Sequence, residues 1–179
     1  MKEIQILDKT FTEFISEKEI SDRIDMLAEQ INNDYKGREV VFLGILNGAF
    51  LFAAELFKRI NIKAKISFVK LASYEGTKSS GTIKELIGWN EDIKNQEIIV
   101  IEDIVDTGVT LERIVDELVI RKVSGIKVAT LLFKPDAFTK KIPLHYIGFN
   151  IPNNFVIGFG LDYDGYARNL PSIYTLKNK

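Results

Sequence analysis

Two kinds of apolar pattern alternate along this chain. Unbroken apolar runs at 40–46 and 98–101 mark strands buried on both faces, the second ending at Glu102 (98–102), and 123–133 reads as a turn leading into another such strand. Helical spacing appears elsewhere. Ile20, Ile24, Leu27 and Ile31 form one stripe, opened by a capping box at Ser16 and Glu19 and stopped at Gly37. Residues 49–60 and 109 to about 122 read as two further helices. Strands are expected at 65–74 and 82–89, on either side of a polar, glycine-bounded loop at 75–81. Short strands are expected at 146–149 and 155–159, with one more after Pro171. Strand–helix–strand units with continuously apolar strands predict an α/β fold with a parallel sheet. Ligands of such sheets bind beyond the carboxyl ends of the strands. The unusual loops at Asn47, Asp103 and Lys134 each follow a predicted strand end, so they converge on one face.

The segment 97–111 carries the most chemistry. An apolar run meets Glu102 and Asp103, then Asp106-Thr107-Gly108-Val109-Thr110, then an amphipathic helix. Amide groups at a helix N-terminus and the helix dipole favour an anion there. Thr107 and Thr110 add hydroxyl donors and Gly108 permits close backbone approach, which makes 107–110 a cradle for one phosphate. Two acids beside it would repel a second phosphate but would accept hydrogen bonds from a cis-diol. A ribose 5-phosphate offers both groups. An ordinary strand–turn–helix with an acidic turn is the plainer alternative.

Composition narrows the field. The chain has 179 residues and 46% hydrophobic content, enough for one domain with a sizeable core. The net charge of −1 offers no electrostatic case for nucleic acid or a membrane surface. The absence of cysteine excludes disulfides and thiolate metal sites and agrees with a reducing, cytoplasmic setting. The first eight residues lack a basic segment followed by an apolar one, so no signal peptide is expected, and no apolar stretch is long enough to span a bilayer. With one histidine, His145, and no cysteine, zinc chemistry and a serine–histidine triad are poorly supported. His145 and Trp89 are read as structural.

The run from 97 to 111 resembles the phosphoribosyl pyrophosphate (PRPP) signature of type I phosphoribosyltransferases. The resemblance extends over nearly the whole chain to the branch acting on hypoxanthine or guanine. Four further segments carry it: Leu46-Asn47-Gly48-Ala49-Phe50, Leu71-Ala72-Ser73-Tyr74-Glu75-Gly76, the strand ending in Lys134-Pro135, and 154–169 with its Leu-Asp-Tyr and Tyr-x-Arg. Alone, Asn47-Gly48 is a plain turn, Ser73-Tyr74 a flexible hairpin, Lys134 a surface lysine, and Phe155-Val156 core.

The resemblance implies a single domain over 1–179. Its parallel-sheet, Rossmann-like core would span about 36–140, under a small hood from about 1–15 and 141–179. It implies a purine-salvage enzyme that transfers the phosphoribosyl group of PRPP to N9 of hypoxanthine, and of guanine, releasing pyrophosphate. Asp106 would be the general base. Glu102 and Asp103 would hold the ribose, with Thr107, Gly108, Val109 and Thr110 on the 5′-phosphate. Leu46, Asn47, Gly48 and Arg168 would hold pyrophosphate, and the Leu46–Asn47 peptide can be cis in the family. Relatives often carry Lys or Arg at position 47, so Asn47 removes a charge contact and leaves the backbone role. Ser73 and Tyr74 would form a lid that excludes water. Lys134 would donate to O6 of the purine, with Phe155 stacking, Val156 at the base edge and Asp162 near it. Mg²⁺ would be the cofactor, held by Glu102, Asp103 and Asp162 with substrate oxygens. The expected assembly is a homodimer or homotetramer.

Two rivals use the same fold. A phosphoribosyltransferase for another base would share the PRPP signature and differ in the hood. A non-catalytic nucleotide sensor that binds RNA would need a basic face, against which the near-neutral charge and Asp106 both count.

Overall fold

The structure, a computed structural model, describes residues 2–71, 85–87 and 93–177. In chain order the elements are β1 (Glu3–Ile6), β2 (Lys9–Ile15), α1 (Glu17–Asp34), β3 (Glu39–Leu46), α2 (Phe50–Phe57), β4 (Lys63–Leu71), β5 (Glu85–Ile87), β6 (Glu97–Val105), α3 (Val109–Ile120), β7 (Gly125–Phe133), β8 (Tyr146–Asn150), β9 (Val156–Ile157) and β10 (Ile173–Leu176).

Six strands form the main sheet in the order β5-β4-β3-β6-β7-β8. Its five-strand body is parallel, and β5 joins β4 antiparallel at one edge. Strand alternation sorts the core into two layers. Val40, Phe42, Ile99 and Ile101 face α1 and α2, whereas Val41, Leu43, Ile98 and Val100 face α3. Burial on both faces is why these segments read as unbroken apolar runs. The other edge, β8, is blunted by Arg23, which donates to the carbonyls of Gly148 and Ile147 at 2.7 and 2.8 Å.

The predicted capping box opens α1: Ser16 accepts from the Glu19 amide, and Glu19 accepts from the Ser16 amide. The α2 helix is shorter than the 49–60 expected. The strand read as 98–102 does not end at its acids but continues to Val105, because β7 pairs alongside it as far as Val105↔Phe133. The loop expected at 75–81 lies outside the described residues.

A second, antiparallel sheet in the order β1-β2-β10-β9 forms the hood. Its β1–β2 hairpin carries no strong sequence signal. The hood begins later than expected after the core, since β8 at 146–150 is the sixth strand of the main sheet. The anticipated tail strand is β10, which pairs with β2 and β9. Among the described residues, no helix is long and apolar enough to cross a membrane. His145 lies at the opposite end of the sheet from the loops at Asn47, Asp103 and Lys134. Its Nδ1 accepts from the Val128 amide at 3.2 Å, and burial lowers its pKa, as fits a structural histidine.

Candidate active site

The β6–α3 junction forms a cleft lined by Glu102 and by every residue from 104 to 111. Gly108 is the N-cap of α3 with φ +84° and supplies no side-chain cap, so the first amides of the helix are left for an incoming group. Thr107, Val109 and Thr110 are exposed around it. A second segment fixes this turn from above. A Cβ on Gly108 would lie 2.5 Å from the Phe138 ring, and both the amide and the hydroxyl of Thr139 donate to the Thr107 carbonyl at 3.3 Å.

Alternation along β6 separates the two adjacent acids. Glu102 shares the face of Ile98 and Val100 and lines the cleft on the α3 side. It is 7% exposed, and its Oε2 finds no hydrogen-bond partner among the described residues. Burial, and then the neighbouring Asp103, push its pKa well above the usual carboxylate range. An unsatisfied buried acceptor is costly, so it marks where a donor belongs. Asp103 faces the other way, toward the loop after β3. Burial raises its pKa to about 6, against the amide of Ile104, which donates to Oδ1 at 3.0 Å.

That loop is pressed between β6 and the hood. The Leu46–Asn47 peptide is cis. A Cβ on Gly48 would stand 1.7 Å from Asp103 Oδ2, and a Cβ on Gly160 would stand 2.0 Å from the Gly48 carbonyl oxygen. Only glycine fits at Gly160, where the obstacle is backbone and φ is +100°, whereas a larger residue at Gly48 would have to displace the Asp103 carboxylate. Asn47 is exposed. Arg168 reaches the same region: it donates to the Gly160 carbonyl at 2.7 Å and pairs with Asp162 at 2.6 Å, and the charges of both act on Asp103.

On the other side of the cleft, Lys134 follows β7 and its amide donates to the Val105 carbonyl at 3.0 Å. Its ammonium lies 2.8 Å from Asp106 Oδ2. In the hood, Phe155 precedes β9 and is 45% exposed, which is high for a phenylalanine. Tyr163 meets it edge-on at 5.9 Å, Phe11 is tilted at 6.3 Å, and the Lys9 ammonium lies 5.8 Å from its centroid. Val156 is buried rather than exposed.

The structure therefore brings Glu102, Asp106 and 107–110 to one cleft, and Asp103, Gly48, Asp162 and Arg168 to a second cluster beside it. It does not gather Glu102, Asp103 and Asp162 into one metal set. Among the described residues no three acids, histidines or cysteines are placed to hold an ion, because neighbours on a strand point to opposite faces. Ser73 and Tyr74 lie outside the described residues. Sequence reasoning gave no role to Gly160, Phe138, Thr139, Lys9 or Tyr163, although Tyr163 stands in the Leu-Asp-Tyr motif. Only the Gly158-x-Gly160 spacing held a local hint, since both glycines take positive φ.

Residues 12–164 match the phosphoribosyl transferase domain model. A hypoxanthine-guanine phosphoribosyltransferase of Streptococcus pyogenes is 42% identical over 165 residues, covering 92% of each chain. A Staphylococcus epidermidis protein of the same name is 42% identical over 164 residues, 91% of this chain and 92% of that one. Two solved structures share the fold. A Staphylococcus aureus hypoxanthine phosphoribosyltransferase has a TM-score of 0.87 at 39% identity, over 93% of this chain and 91% of that one. A Bacillus anthracis hypoxanthine-guanine phosphoribosyltransferase has a TM-score of 0.86 at 35% identity, over 93% of this chain and 97% of that one. The matched model spans most of the chain, and the β6–α3 cleft lies within it: the chain belongs to the phosphoribosyl transferase family.

Proposed function

We propose that this enzyme makes a purine nucleoside 5′-monophosphate from PRPP and hypoxanthine, and from guanine as a second base. The observation that carries this is the Lys134–Asp106 pair at the mouth of the phosphate cleft. It sets an obligate donor 2.8 Å from a proton acceptor, which suits a 6-oxopurine that accepts at O6 and gives up a proton at N7. The relatives' names agree with this choice of base.

Residues 107–110 take the 5′-phosphate. Glu102 accepts from a ribose hydroxyl through its unpartnered oxygen, whereas Asp103, turned toward the loop at Gly48, serves the pyrophosphate side. Leu46, Asn47 and Gly48, with Arg168, take pyrophosphate. Phe155 stacks on the base, with Val156 and Asp162 at its edge. N9 of the purine forms its bond to C1 of the ribose as the bond from C1 to the pyrophosphate oxygen breaks. Pyrophosphate leaves with that electron pair, and the N7 proton passes to Asp106.

The donors fit Mg²⁺ only in the manner usual for that ion, one or two carboxylates completed by substrate oxygens and water. Asp103 and Asp162 are the pair that would hold it, and when bound it neutralises charge on the pyrophosphate. A cytoplasmic setting and a homodimeric or homotetrameric assembly belong to the same proposal. The test is the ultraviolet absorbance change on mixing the chain with hypoxanthine, PRPP and Mg²⁺. Turnover of hypoxanthine but not of uracil or orotate is expected. Turnover of a pyrimidine alone would assign the hood to another base.

A further inference from the structure

The first turn of α3 carries a charge of the wrong sign for its task. Glu112 is the acid of that turn, and its amide donates to the Gly108 carbonyl at 2.9 Å. A carboxylate there stabilises a free helix. Beside a bound phosphate dianion it opposes the ligand. Lys140 comes from the segment that crosses the cradle. Its stem lies 3.0 Å from where a Cβ on Gly108 would stand, and its ammonium is 2.6 Å from Glu112 Oε2. The side chains of the pair are 25% and 43% exposed, so it is partly open to solvent and to its screening.

We infer that Lys140 neutralises Glu112 so that the N-terminus of α3 keeps its attraction for the 5′-phosphate of PRPP. Lys140 is thus a positioning residue that sets PRPP affinity without touching the substrate. This rests on the assignment of residues 107–110 to the phosphate. Two neighbours act alongside it. Phe138 packs on Gly108 and Thr139 binds the Thr107 carbonyl, so three consecutive residues set the shape and the charge of the cradle.

The test is a double-mutant cycle on the whole chain with Lys140→Met, Glu112→Gln and both together. Methionine keeps the stem over Gly108 and removes the charge. At low ionic strength Lys140→Met should raise KM for PRPP about threefold to fivefold, the worth of one charge near a helix end. It should leave kcat and KM for hypoxanthine unchanged, and the effect should shrink in 0.5 M salt because the pair is partly open to solvent. Glu112→Gln should match or fall below the wild-type KM, and the double variant should return to within about twofold of wild type. A double variant as weak as Lys140→Met, or a Lys140→Met variant with unchanged PRPP affinity, would overturn the inference. PRPP binding by calorimetry is run on all four proteins. Failure of the wild type to turn over hypoxanthine while binding PRPP would then count against the choice of base and leave this test intact.

Discussion

The Lys134 ammonium donates to Asp106 Oδ2 at 2.8 Å, although Asp106 sits in the β6–α3 turn and Lys134 follows β7. The lysine side chain is only 12% exposed, whereas Asp106 is 46% exposed. A cation that is nearly buried needs a partner at all times. In the free enzyme Asp106 is that partner. An entering 6-oxopurine would offer O6 to the lysine and its N7 proton to the aspartate, and so relieve both groups in one step.

Asp106→Asn should keep the fold and PRPP binding and lose about 10²–10⁴ in kcat, the usual worth of general acid–base catalysis. Steady-state kinetics with PRPP calorimetry separate the two effects. A loss confined to KM for PRPP would make Asp106 a binding group.

Lys134→Ala should lower kcat/KM for hypoxanthine by about 10²-fold, an estimate for one lost charge-assisted hydrogen bond in a site closed to water, with PRPP affinity little changed. The wild type should use adenine about 10⁴-fold less well than hypoxanthine, because a 6-amino group leaves the ammonium unpaired. Comparable rates with the two bases would remove Lys134 from base selection.

Gly160→Ala and Gly165→Ala separate backbone strain from crowding. Both positions have positive φ, at +100° and +82°. A Cβ on Gly160 would stand 2.0 Å from the Gly48 carbonyl oxygen, whereas one on Gly165 would meet nothing within 4 Å. Gly165→Ala should cost about 1–2 kcal/mol of stability, the left-handed backbone penalty alone. Gly160→Ala should cost about 2 kcal/mol more, from forcing a methyl group into packed structure, and should raise KM for PRPP through the displaced loop. Urea denaturation and PRPP kinetics on both variants check this. Equal stability losses would show that the contact gives way freely.

Asp103 makes the chain's stability depend on pH in a stated direction. Burial raises its folded-state pKa from 3.8 to about 6. The folded chain thus favours the neutral acid, so the Asp103 contribution is fully present below pH 3.8 and is lost as pH rises through about 6. In EDTA, Asp103→Asn should therefore lower the Tm less at pH 7 than at pH 4. The carboxylate is also the form that would hold Mg²⁺, so kcat/KM for PRPP should fall below pH 6 in the wild type. A difference in Tm that is the same at both pH values would refute the raised pKa.

Turnover should stop in excess EDTA and return with Mg²⁺ or Mn²⁺, since Asp103 and Asp162 leave most of an ion's ligands to the pyrophosphate and water. Undiminished turnover in EDTA would remove the metal from the reaction.

How much of this was legible in the sequence depends on the range over which each feature is encoded. The alternation of Val40 with Val41 and of Ile98 with Ile99, the Ser16–Glu19 cap and the glycine at the start of α3 are local, set by side-chain period and backbone freedom within a few residues. They were enough to predict the parallel sheet, the turn that opens α3 and the convergence of three loops at one end. The hood was expected only through the family resemblance, because β10 pairs with β2 across nearly the whole chain and the β1–β2 hairpin carries little pattern of its own. Nor did the adjacent acids Glu102 and Asp103 announce that β6 continues through them. Pairing with β7 decides that, and it sends one acid to the β6–α3 cleft and the other to the loop at Gly48. The grip of Gly160 on Gly48, the Lys134–Asp106 pair and the Lys140–Glu112 pair each join segments far apart in sequence. No local rule encodes such contacts: they form only after the sheet order has set which chain ends meet.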